Sequence, residues 1–137
     1  MIIRDHSQLS DSEFEKKFKE ITLKPGLFSH EAHIRLAYIH INKYGLEKAE
    51  QNMCKQISAF AAFHGGTGFN TTVTIAATKA VNHFMGKAKT ENFYDFIQEF
   101  PRLITNFKDL LRQHYGFNVF ADEKAKKEFV EPDLAPF

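Results

Sequence analysis

Helix start and stop signals recur along this chain with little to compete with them, and they restrict the fold more than any other feature. Ser10 and Glu13 stand in capping-box spacing at the head of "DSEFEKKFKEI", where hydroxyl and carboxylate can each take up a backbone N–H of the first turn. Behind them Phe14, Phe18 and Ile21 fall at i, i+4 and i+7 and share one face. Pro25 and Gly26 then favour a turn.

The pattern repeats. Ser29 is a good N-cap for a second helix that ends near Tyr44, with Gly45 as its stop. A third runs from about Leu46 to Phe63, with Met53, Ile57, Phe60 and Ala61 at helical spacing. "HGGTGFN" interrupts with three glycines in four residues. A fourth helix is expected from near Thr72 to just before Gly86. "TTVTI" has strand composition, but "AATKAVNHF" continues it without a break.

A fifth begins around Thr90, Asn92 and Phe93 and stops near Phe100, because the residue before a proline disfavours helix. Pro101 is placed to open a sixth helix through "RLITNFKDLLRQHYG". The tail "FADEKAKKEFVEPDLAPF" holds one short helix and an extended end. The expectation is all-α: one domain over residues 1–137, a bundle of about five to seven helices, with short connections and mostly antiparallel neighbours.

A chain of 137 residues, 43% of them apolar, can bury a core without staples. Eighteen basic and seventeen acidic residues leave a formal charge of +1, so there is no electrostatic footprint for nucleic acid. Cys54 is alone, which excludes an internal disulfide, and its apolar helical setting suggests an inert thiol. "MIIRDHSQLSD" is too polar for a signal peptide, and no apolar run has the length of a membrane span, so a cytoplasmic location is expected.

Chemistry concentrates in "FSHEAHIRLAYIH". On a helical wheel His30, His33 and His40 share an arc of about 120° with Ile34, Ala37, Ile41 and Tyr44. Ala32, Leu36 and Ile39 lie opposite, so the helix should be covered on two sides. His30 and His33, three apart, can chelate a metal or hold a ligand between two rings, or can be core histidines satisfied by carbonyls. His40 reads as core. Zinc wants a third protein ligand, and "HEAH" is one residue short of the HExxH motif. His30 would sit in the first turn, where the helix dipole disfavours imidazolium.

The second unusual stretch, "GGTGFNTTVT", precedes a helix start rich in hydroxyls. With no lysine after the glycines and no strand before them it is not a P-loop. Thr71, Thr74, Thr78 and Asn82 line one side of the fourth helix, as a solvated face or as the polar wall of a pocket. Asn70 can serve as the N-cap.

Three blocks, "FSHEAHIRLA", "GFNTTVT" and "FVEPDLAP", resemble an uncharacterised family of small, mainly bacterial proteins without an established activity. Its pattern is an aromatic–x–His–x–x–His–Leu helix, then Gly–Tyr–His–Glu–Thr–x–Thr, then Glu–Pro–Asp–Leu. The resemblance spans the chain from about Phe28 onward and implies that His30, His33, Thr72, Thr74, Glu131 and Asp133 converge on one pocket. This chain departs from the pattern with Phe69, Asn70 and Thr71, so an imidazole and a carboxylate are missing.

Three functions follow as expectations. The first is a small-molecule pocket, enzymatic or not, lined by His30, His33, Asn70, Thr72, Thr74 and Asp133. The second, prompted by fifteen phenylalanines, is an interaction module or homodimer. The third is a metal site at His30 and His33 with His64 or Asp133. No cofactor is specified by any of these residues.

Overall fold

A computed structural model describes residues 2–137. Among them lie eight α-helices and no strand: α1 (Asp11–Lys19), α2 (His30–Tyr44), α3 (Leu46–Phe63), α4 (Thr71–Met85), α5 (Phe93–Glu99), α6 (Arg102–Thr105), α7 (Phe107–Arg112) and α8 (Glu123–Lys127). Short 3-10 turns occupy His6–Gln8 and Pro25–Leu27. The all-α expectation holds, and no helix among the described residues is long and apolar enough to cross a membrane.

Local chemistry sets the boundaries. Ser10 and Glu13 form the reciprocal capping box of α1. Ser29 Oγ accepts from the Ala32 N–H to start α2, and Gly45, at φ +84°, turns the chain directly into α3. Asn70 and Asn92 cap α4 and α5 in the same manner.

α2 runs through the middle, packed on α3 and α4 with α1 and α6 at its flanks. From Ile34 to Ile41 every residue is buried, so the helix is covered all round rather than on two sides. Phe18, Phe28 and Phe60 fill the contact of α1 with α3, their ring centroids 4.5–5.6 Å apart. Burying a side chain of this size contributes about 2–3 kcal/mol. Among the fifteen phenylalanines only Phe63 and Phe117 are exposed, so the core absorbs most of the excess that suggested an interaction surface.

Two helix boundaries differ from expectation. α1 stops at Lys19, and Ile21 leaves the helical face for a left-handed conformation at φ 59°. The Thr22 and Leu23 N–H groups both reach back to the Lys17 carbonyl, closing the helix end while Ile21 still packs on the core. The sixth helix is two helices. Asn106, at φ −142° and ψ 35°, breaks it and turns α7 away from α6.

The tail closes over the bundle. Tyr115 Oη donates to the Val130 carbonyl, the Gly116 N–H donates to Asp133 Oδ1, and the Leu134 N–H donates to the His114 carbonyl. His114 stacks on Phe137 at 4.1 Å, and its Nδ1 donates to the Ala135 carbonyl.

Candidate functional site

The break at Asn106 creates the main concavity. The first turn of α2, Val73 and Ala77 of α4, and the α6–α7 corner enclose a cleft of about 600 Å³. Its walls are Ile104, Phe107 and Phe120, with Lys108, Asp109 and Arg112 along α7. A second cleft of about 490 Å³ adjoins it and shares Lys108, Arg112 and Phe120.

His30 and His33 both line the larger cleft. A continuous helix would direct the Leu103 carbonyl to the Phe107 N–H. With the helix broken, that carbonyl accepts from His30 Nε2 at 2.8 Å. A carbonyl only accepts, so His30 Nε2 carries a proton and donates it to this bond. The ring also packs on Phe107 at 4.8 Å. His30 therefore ties the start of α2 to the corner that forms the cleft.

His33 stacks on Phe28 at 5.7 Å, and its Nε2 is buried with no hydrogen-bond partner among the described residues. Burial, with a smaller contribution from His30, pushes its pKa down to about 4, so the ring is neutral at neutral pH. An unpartnered buried nitrogen costs roughly 1–3 kcal/mol and is uncommon in folded proteins. Of the buried side-chain nitrogens without a partner among the described residues, His33 Nε2 belongs to a residue of the cleft wall, whereas Arg35 Nε and His40 Nε2 belong to the core.

The other expected site residues are not in the cleft wall. Asn70 caps α4 through Oδ1 and donates from Nδ2 to the Val119 carbonyl at 2.9 Å. Thr72 Oγ1 donates to the Glu128 carbonyl and accepts from the Val130 N–H, while Thr71 Oγ1 donates to the Lys126 carbonyl. Thr74 and Thr78 are buried, neither a solvated face nor a pocket wall, because each hydroxyl bonds the carbonyl four residues back. Asp133 receives the Gly116 N–H, and Glu131 is exposed on the tail. The second and third sequence blocks thus fasten α4 to the tail, and only the first reaches the cleft.

His64 is exposed and packs on Phe60 and Phe63, with the Phe28 and Phe60 rings between it and His33. His30, His33, His64 and Asp133 do not gather as ligands. Among the described residues one trio of suitable atoms lies within 4.8 Å: Asp5, His6 and Glu31. There Arg35 Nη1 donates to His6 Nδ1 at 3.3 Å, which leaves the proton on Nε2, and Nε2 donates to Glu31 at 2.8 Å. The nitrogen facing the carboxylate carries a proton and is no metal ligand in that tautomer.

Arg35 is the buried group that sequence reasoning missed. Its side chain is 3% exposed, and it donates to the His6 and Leu9 carbonyls at 2.7 and 2.8 Å and to Asp11 at 2.9 Å. The guanidinium lies over Phe14 at 4.8 Å. Its partners lie 24–29 residues away, so no local spacing announces them. His40 is core, with Asn52 Nδ2 donating to its Nδ1 at 3.3 Å and burial lowering its pKa. Cys54 is half-buried, and desolvation pushes its thiol up to about 11, which keeps it unreactive.

No protein-family model matches the chain, and no curated protein or solved structure does either.

Proposed function

We propose that this chain is a small-molecule-binding protein whose ligand sits between the His30–His33 turn of α2, α4 and the α6–α7 corner. One observation carries the reading: a neutral histidine in the wall of an apolar cleft has a buried nitrogen without a partner. Nε2 presents no open surface to the cleft as the ring stands, so a ligand recovers the missing hydrogen bond by turning the His33 ring toward itself. With its pKa near 4, His33 is a poor base at neutral pH, which favours binding over proton transfer. Kinship with the small bacterial family and a cytoplasmic location belong to the same proposal, since both rest on residues of the sequence alone.

A fragment library followed by protein-observed NMR tests the reading. Hits should move the signals of His33, Ile104 and Phe107 together, and Val73→Phe, which fills the α4 wall, should abolish them. Hits scattered over the surface, or hits indifferent to Val73→Phe in a folded variant, would refute it.

A further inference from the structure

Resting on the cleft reading, we propose that the ligand is a monocarboxylate with an apolar body, its carboxylate held by Lys108 and its body lying on Ile104, Phe107 and Phe120. The charges along α7 carry this choice. Three of them border the cleft: Lys108, Asp109 and Arg112. Arg112 Nη1 donates to Asp109 Oδ1 at 2.7 Å, so these two answer each other. Lys108 forms no ion pair among the described residues, and its ammonium stands over the Phe120 ring at 5.7 Å, at the side of the apolar wall.

The unanswered charge of the cleft is therefore a single cation beside an aromatic surface. A cationic ligand would meet a carboxylate already taken by arginine. A phosphate dianion would find one free cation where its charge calls for more. A carboxylate matches in charge, and its apolar body matches the walls. The neutral His33 ring adds a hydrogen-bonding group without altering the charge balance. The 600 Å³ of the cleft lies in the range of small-ligand sites.

The test uses the full chain at neutral pH with benzoate, benzyl alcohol and benzylamine, one ring with three charges, followed by NMR titration. Benzoate is expected to shift the His33, Ile104 and Phe107 signals saturably and to bind tighter than the other two. Lys108→Gln should weaken benzoate by about fivefold, the effect of one partly screened ion pair, and leave benzyl alcohol unchanged. Lys108 is exposed, so the variant should fold. Equal binding of the alcohol or the amine in the cleft, or benzoate binding indifferent to Lys108→Gln, overturns the ligand class and leaves the cleft standing. If none of the three moves a cleft signal, the ligand class is overturned, and the fragment-library titration with Val73→Phe decides the binding reading by itself.

Discussion

Arg35→Met removes the charge at the centre of the N-terminal network and keeps most of the side chain's length. Four hydrogen bonds go: to the His6 and Leu9 carbonyls, to His6 Nδ1 and to Asp11. The Asp11 side chain is 67% exposed, and water replaces that partner with little loss. Leu9 is only 6% exposed and its carbonyl is left buried and unpaired, whereas the His6 carbonyl, also buried, keeps the Leu9 N–H as a donor. At about 2 kcal/mol for the orphaned Leu9 carbonyl and about 1 kcal/mol each for the charge-assisted bonds lost at the His6 carbonyl and Nδ1, the loss sums to about 4 kcal/mol. Release of the guanidinium's own desolvation, including an Nε without a partner, returns part of this, for a net cost of about 3 kcal/mol. That is a large share of the stability of roughly 5–15 kcal/mol typical of such domains.

Urea unfolding followed by circular dichroism measures it. The midpoint should fall by about 1.5–2 M for Arg35→Met, whereas Asp11→Asn should cost less than about 1 kcal/mol. Hydrogen exchange should quicken first in residues 2–10. A loss below about 1 kcal/mol for Arg35→Met, or an equal loss for Asp11→Asn, would refute the assignment of the energy to the buried Leu9 carbonyl and the His6 contacts.

Asn70→Ala should cost about 2 kcal/mol in the same assay, one part from the lost cap and one from the lost bond to Val119. Asn70→Asp keeps the cap but cannot donate to Val119, so it too should destabilise. Thr72→Val conserves shape and removes the two bonds to the tail. About 2 kcal/mol should go, and the Val130 amide should exchange faster. His33 takes up its proton at about 4 in the folded protein and near 6.5 in the unfolded chain. Between those values the unfolded state binds more protons, so stability is full above about 6.5 and declines as pH falls toward 4, by up to about 3 kcal/mol. His33→Phe should flatten that slope relative to the parent protein in denaturant titrations across the window. An unchanged slope would show that His33 is not held neutral by burial.

Helix ends were legible in the sequence because they are local chemistry: Ser10 with Glu13, Ser29, Gly45 and Asn92 each act within four residues of themselves. The split at Asn106 was not legible. Leu103, Phe107, Leu110 and Leu111 keep a helical apolar spacing across it, and the compensating partner of the Leu103 carbonyl is His30, 73 residues away. The cleft depends on that break, so its α7 wall was hidden with it. Arg35 carries no local signal, because an arginine inside an apolar helix is normally solvated and only the docked N-terminal segment makes it central.

The polar residues of the glycine-loop block were legible as unusual, but not for their role. Buried threonines satisfy themselves on their own helix or on the tail, and burial alone does not mark a ligand wall. Asn70 is a strut between the start of α4 and the Val119 carbonyl, with both ends of its amide taken up.

Crystals of the protein soaked with a fragment library test the central claim most directly. Electron density for bound fragments should collect between His33, Phe107 and Val73, with a polar atom within hydrogen-bond reach of the His33 ring. Density that favours other surfaces and leaves this cleft empty across the library would contradict the account.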